Sequence, residues 1–207
     1  MVPTAHVQPA WPRAVGRVCG GLLVLLTLAA CGGQGRGDSR QRSEENIKVL
    51  LRGLQSQRYG LSRPWPSRVD GKRLLLWLIP EHVIHTSDSD LAVYFSPGDA
   101  TRSVAEAGGT ARFGSLSFED LRKEETDVDP LTSYQGPSTR ALRESGPGSA
   151  ADIPLMADLT FRDGAIVGFA SGQVRWMSRA DLGLGPTDPI KPGEGSASPT
   201  LRWLAER

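Results

Sequence analysis

Apolar residues recur at intervals of three and four along residues 43–58, which predicts an amphipathic helix. Ser43 is placed to cap its first turn, and Glu44 and Glu45 favour the positive end of the helix dipole. The helix is expected to end near Arg58 and to need a second apolar surface against which to pack. One stripe of side chains should be buried on that surface, namely Ile47, Leu50, Leu51 and Leu54.

Residues 153–178 can be aligned as three strands whose large apolar side chains gather on one face, which predicts an antiparallel three-stranded meander with one buried face. A two-residue turn at Ser171 and Gly172 pairs Val167 with Trp176 and gathers the large apolar side chains on that face. The helix stripe should pack there. The predicted fold class is therefore α+β, with an N-terminal helix on a small antiparallel sheet and a C-terminal meander.

The loop between the first two strands of the meander has two possible lengths. A two-residue turn would bring polar side chains to the apolar face, whereas a three-residue loop at residues 162–164 sets Ala157 opposite Phe169. The three-residue loop keeps the buried face apolar and is predicted, with Gly164 in the left-handed conformation.

Four shorter elements are predicted along the rest of the chain. Residues 71–79 are almost wholly apolar and indicate a buried short helix or strand, which periodicity cannot separate. Residues 91–95 predict a strand, residues 117–125 a short helix capped by Ser117, and residues 132–134 a brief strand or extended segment. Glycine and proline cluster in residues 183–199, which predicts a loop-rich C-terminal tail.

The N-terminal region has the pattern of a secretory leader. Arg13 and Arg17 precede a short apolar run, and no acidic residue occurs before Asp38. The run is only about half as long as the roughly 20 apolar residues that a spanning helix needs. It ends in a stretch with the small residues and the thiol of a bacterial lipobox (residues 28–32, LAACG), so cleavage is predicted between Ala30 and Cys31.

The lipobox resembles that of bacterial lipoprotein precursors. The resemblance implies a diacylglycerol on the Cys31 sulfur and a third acyl chain, such as palmitate, on the freed amine; two or more chains anchor stably. Gly32 stands where some inner-membrane lipoproteins have aspartate, which implies the outer membrane, facing the periplasm or the surface. The alternative is an ordinary signal peptide with an incidental cysteine.

These features divide the chain into a signal peptide (1–30), a flexible tether (31–42) and a single domain (43–207) that includes the tail. Cys19 lies in the leader, so no internal disulfide is expected in the mature chain. The 24 basic and 23 acidic residues nearly balance, and no basic stripe carries interleaved aromatic residues. The composition therefore predicts no nucleic-acid partner.

Residues 161–177 (FRDGAIVGFASGQVRWM) resemble the C-terminal signature of prepilin-like proteins of planctomycetes, written as His, nine residues, then Asp-Gly. Phe161 occupies the histidine position and Ser171 the aspartate position. The resemblance extends upstream through five short segments, at residues 46–48, 71–72, 94–99, 132–134 and 154–158.

This resemblance implies a pilin-like globular domain. The signature is degenerate, so any ligand that its two polar residues hold in relatives has no counterpart here. The prepilin peptidase site and the long apolar filament helix of pilins are also missing from the sequence, and a lipid anchor takes their place. A shared fold is therefore expected without filament assembly, since function belongs to sites and not to folds.

One cluster has the residue types of a metal site. Glu81, His82 and His85 are followed by Asp88 and Asp90, and imidazole and carboxylate ligands within a short span can bind zinc. The segment follows a proline and precedes a predicted strand, so a solvated connector is the plainer interpretation. The usual enzyme motifs do not occur, and no cofactor is predicted.

These observations favour a non-catalytic, lipid-anchored cell-envelope protein with a structural or protein-interaction role. Its contacts would be the membrane, through lipidated Cys31, and an unknown envelope protein. Two alternatives stay open. One is an exported metal-dependent hydrolase that uses His82 and His85, and the other is a lipoprotein that binds a small ligand in an aromatic-lined pocket.

Overall fold

The computed structural model describes residues 20–56, 65–66, 69–144 and 152–206, with side chains from residue 37 onward. Its contacts separate a first unit, residues 1–35, from a compact unit, residues 36–207, and α1 begins in the first unit. Among the described residues, no helix combines the length and apolar character that crossing a bilayer requires. The helices of the described chain are α1 (Gly20–Gln55), α2 (Gly71–Leu76), α3 (Asp88–Leu91), α4 (Gly109–Gly114), α5 (Phe118–Arg122) and α6 (Thr139–Glu144).

Four antiparallel strands form one sheet in the order β1-β2-β3-β4. The α+β class is thereby confirmed, as an N-terminal helix with a four-stranded antiparallel sheet. The strands are β1 (Tyr134–Gln135), β2 (Pro154–Asp158), β3 (Gly164–Phe169) and β4 (Val174–Ser178).

The predicted stripe of α1 is confirmed, because all four of its apolar side chains are buried in the main core. Gly168 on β3 lets the helix lie close, since an added Cβ would stand 2.9 Å from Ile47 Cγ2. The predicted cap at Ser43 is wrong. The helix starts at Gly20, and Ser43 is a fully buried interior residue whose hydroxyl donates to Asp158. Arg58 lies outside the described residues.

The predicted register of the β3–β4 hairpin is wrong by one residue. Val167 stands opposite Arg175, and Trp176 stands opposite Ile166. The turn has three residues, with Gly172 left-handed at φ 86° and the Phe169 N–H bonded to the Gln173 carbonyl at 2.9 Å. This is the usual form of a three-residue hairpin loop. A slip of one residue reverses the faces, so Trp176 lies on the α1 side of the sheet.

The register between β2 and β3 differs from the prediction by two residues. Ala157 pairs with Val167 instead of Phe169, and five residues, 159–163, connect the two strands. An even shift preserves the faces, so the predicted grouping of Ala157 with Val167 on one face holds. Gly164 is the first residue of β3 and is not left-handed; an added Cβ would stand 2.2 Å from the Met177 carbonyl oxygen. Close backbone approach, not turn geometry, requires this glycine.

The prediction of a single buried face is also wrong. β3 is buried at all six positions, because α1 covers one face of the sheet and the C-terminal segment covers the other. The leucines of that segment are irregularly spaced and lie among loops, so no sequence pattern marks them as part of a core. The second core contains Val167, Phe169, Leu182, Leu184, Leu201 and Leu204.

The structure confirms some of the predicted shorter elements and corrects others. The ambiguity over residues 71–79 is settled as helix α2 followed by turns, and the helix at 117–125 is confirmed as α5, with a capping box between Ser117 and Asp120. β1 confirms the brief strand near residue 134. The strand at 91–95 is wrong: α3 starts at a Ser87 cap and continues as a 3₁₀ turn to Tyr94. Local capping outweighs the β propensity of this segment.

His82→Gly is expected to stabilise the protein by about 1 kcal/mol, because His82 sits at φ 57°. Its N–H bonds to the Ile79 carbonyl and the Val83 N–H to the Leu78 carbonyl, which is the arrangement that usually carries glycine at a helix end. Chemical denaturation measures the change. His85→Gly is the control and should give no gain, since its φ is not positive; a loss of stability in His82→Gly would contradict the prediction.

Candidate functional site

The two histidines of the predicted metal cluster lie on the rim of one surface groove. His82 and His85 are both exposed, and the groove, of about 400 Å³, also contains Ile84 and Phe118. Two acidic residues of the cluster bond elsewhere: Glu81 accepts from the Trp77 indole N–H at 3.3 Å, and Asp90 bonds to Ser87 at the start of α3. Within the described residues, no three histidine, cysteine, aspartate or glutamate side chains are grouped so that they could hold a metal.

The predicted lipidation site lies outside the described side chains. Cys31 and Ala30 fall within the backbone range of α1, but the side chains before residue 37 are not described, and neither is Cys19. Lipidation and cleavage therefore stay predictions. Arg40 lies three residues before Ser43 on α1, and its side chain already contacts the sheet.

The most developed polar centre surrounds Asp158, the last residue of β2. Its side chain is fully buried, and one carboxylate oxygen accepts hydrogen bonds from the hydroxyls of Ser43, at 2.5 Å, and Ser96. The other oxygen accepts from the N–H and the hydroxyl of Thr160, at 3.0 and 2.7 Å. These bonds join α1, the loop after residue 95 and the end of β2, so Asp158 fixes three separate parts of the chain to one another.

Asn46 and Tyr134 extend this centre. The Asn46 amide donates to the Phe95 carbonyl at 3.1 Å and to the Tyr134 hydroxyl at 3.2 Å. Burial raises the pKa of Tyr134, and the negative charge of Asp158 raises it further. Tyr134 therefore stays protonated and donates to the Phe95 carbonyl. The donors and acceptors satisfy one another, an arrangement that suits a structural centre. We call Ser43, Asn46, Ser96, Tyr134, Asp158 and Thr160 the Asp158 network.

An open groove of about 420 Å³ lies beside the Asp158 network, with Arg42, Glu45 and Arg102 among its lining residues. The Arg102 guanidinium donates to the carbonyls of Asp129 and Thr132, at 2.7 and 2.8 Å, which holds the groove wall in place. Burial acts to raise the pKa of Asp99, but hydrogen bonds from Thr101 and Ser133 and the charge of Arg102 outweigh it and lower that pKa. Asp99 thus stays ionised as part of the wall.

A second cluster joins α1 to the edge of the sheet. The Arg40 guanidinium lies over the Trp176 ring, 3.8 Å from its centroid, and pairs with the Asp163 carboxylate. Phe161 meets Trp176 edge to face at 5.6 Å between centroids. Such cation–π contacts stabilise by about 0.5–2 kcal/mol. Phe161 and Trp176, both from the degenerate signature, therefore pack together instead of facing a ligand.

The Asp158 network was not predicted, although the sequence carries signals for it. Ser43 and Asn46 lie three residues apart and share the helix face with Leu50, so two polar side chains sit within a buried stripe. Asp158 ends an otherwise apolar strand. Polar residues on a buried face need hydrogen-bond partners, which is the signal that predicts such a network.

Comparisons of the chain with protein-family models, with curated proteins and with solved structures found no match.

Proposed function

We propose that the chain is a lipid-anchored cell-envelope protein with a pilin-like globular domain that acts through protein contacts and not through catalysis. The anchor is lipidated Cys31, after cleavage behind Ala30, and the outer membrane is its destination. The lipobox supports this proposal most directly, because residues 28–32 have the residue types and order that lipoprotein maturation requires.

The arrangement of α1 on the sheet supports the pilin-like assignment. A long N-terminal helix packs its apolar stripe on an antiparallel sheet through Ile47 and its neighbours. This is the architecture that the resemblance to prepilin-like proteins implies.

The Asp158 network supports the assignment independently. Four of the segments that carry the resemblance are distant in sequence but meet here, through Asn46, Ser96, Tyr134 and Asp158. Residues that hold a structural centre together are expected to recur among proteins that share the fold, because the fold depends on them. The network therefore offers a physical reason for a resemblance made of short, separate segments.

Cys31→Ser is expected to abolish anchoring, because the thioether to the lipid requires a thiol. In bacteria fed radiolabelled palmitate, the wild-type chain should carry label and sediment with membranes, and Cys31→Ser should do neither. Cys19→Ser is the matched control and should behave as wild type, since it loses a cysteine in the leader. Equal labelling and sedimentation of wild type and Cys31→Ser would contradict the proposal.

A further inference from the structure

The outer edge of β4 exposes backbone groups that can pair with another strand. β4 is the last strand of the sheet, and its described neighbour in the ladder is β3. In an antiparallel pair, successive residues point their N–H and C=O groups alternately toward and away from the partner strand. An edge of this kind is a template for the addition of a strand.

Two backbone bonds fix which residues point outward. The Phe169 N–H bonds to the Gln173 carbonyl, and the Arg179 N–H bonds to the Asp163 carbonyl. Odd-numbered residues of β4 therefore pair inward with β3, and the backbone groups of Val174, Trp176 and Ser178 point outward.

The Ser178 end of the edge is closed. The Ser178 N–H donates to the Asp181 carboxylate at 2.9 Å, and the Ser178 carbonyl accepts from the Leu182 N–H at 3.0 Å. Within the described chain, Val174 and Trp176 thus carry the outward N–H and C=O groups that are open to a new strand. This length suits a short extended segment.

The side chain between these two residues selects the occupant. Arg175 is exposed and stands midway between Val174 and Trp176. An added antiparallel strand that uses both pairs of outward groups places one of its residues directly opposite Arg175, at a position where side chains lie closest. If a second copy of β4 added itself in this register, two arginines would meet there, which is unfavourable. A carboxylate opposite Arg175 is favourable.

We propose that the β4 edge binds an extended segment of an envelope partner, with an acidic residue opposite Arg175. Arg175 already pairs with a carboxylate, that of Asp152 at 3.2 Å, whose side chain is 78 % exposed and easily exchanged for a partner's. The inference deepens the proposed protein-contact function and rests on it for the source of the segment. The edge geometry itself does not depend on the lipid anchor.

Amide hydrogen exchange of the full chain in detergent micelles tests the edge, with the peptide acetyl-Thr-Val-Glu-Val-Thr-amide as probe. Saturating peptide should slow exchange at Val174 and Trp176 by about tenfold or more, because a bonded amide exchanges only when its bond opens. Arg175 and Met177, already bonded to β3, should not change. Protection of Val174 and Trp176 without peptide, including protection that grows with protein concentration through self-association, would overturn the proposal.

Charge exchange tests the occupant. Wild type should bind the glutamate peptide about tenfold more tightly than the same peptide with lysine, and Arg175→Glu should reverse that order. Val174→Pro should lose binding but keep the β3 ladder, since the removed N–H points outward. Equal binding of both peptides to wild type would overturn the proposal. Failed lipidation would leave this test unaffected, so the two proposals fail separately.

Discussion

Phe169→Ala is expected to destabilise the protein by about 3 to 5 kcal/mol, because it truncates a large side chain at the centre of the second core. Phe169 is 2 % exposed and packs between the sheet and the C-terminal segment. Leu201→Ala, from the other side of the same core, should cost about 2 to 5 kcal/mol. Urea denaturation of the full chain gives both values.

Val49→Ala is the matched control for these truncations. Val49 is an apolar residue on α1 that is 40 % exposed, and its truncation should change the free energy of unfolding by no more than about 0.5 kcal/mol. If Leu201→Ala were as mild as this control, the C-terminal segment would not cover the sheet, and the second core would be wrong.

Asp158→Ala is expected to destabilise the protein by about 3 kcal/mol, because buried donors lose their acceptor. The hydroxyls of Ser43, Ser96 and Thr160 all bond to this carboxylate. Asp158→Asn should cost less, since one amide oxygen still accepts and a hydroxyl can turn to accept from the amide nitrogen. Thermal and urea denaturation measure the order wild type, Asn, Ala.

Asp152→Ala provides the control for a lost aspartate. Its side chain is exposed and its ion pair with Arg175 lies at the surface, so the loss should stay below about 1 kcal/mol. Equal costs for Asp152→Ala and Asp158→Ala would contradict the role of Asp158 as a buried structural centre.

Local patterns in the sequence predicted those parts of the fold that depend on near neighbours. The stripe through Ile47 and Leu54 follows from helical spacing, and the Ser117 cap follows from the capping-box residues beside it. The presence of three strands in the meander also follows from its apolar runs and the glycine-containing turns between them. In each case the determining residues lie within a few positions of one another.

Register could not be predicted because both faces of β3 are buried. The predicted register places the apolar residues on one face, a rule that distinguishes registers only when the other face is solvated. Ile166 and Val167 face different cores, so hydrophobicity alone does not distinguish one register from the next. The cover over the second face comes from Leu182 and Leu201, separated by an irregular segment rich in glycine and proline.

The Asp158 network could not be predicted for a similar reason. Ser43 fits a helix cap when only its neighbours are considered, and its role as a donor to Asp158 depends on a residue 115 positions away. The candidate metal residues His82 and His85 were grouped because they are close in sequence. The structure instead places His82 at a helix end, where its φ is left-handed.

Mass spectrometry of the N-terminal peptide, from the full chain extracted from bacterial membranes, tests the proposed function most directly. We predict a peptide that begins at Cys31 and carries the mass of a diacylglyceryl group, with a further acyl chain on the amine. The Cys31→Ser chain should yield no such peptide. An N-terminal peptide that begins elsewhere, or an unmodified Cys31, would contradict the lipid anchor.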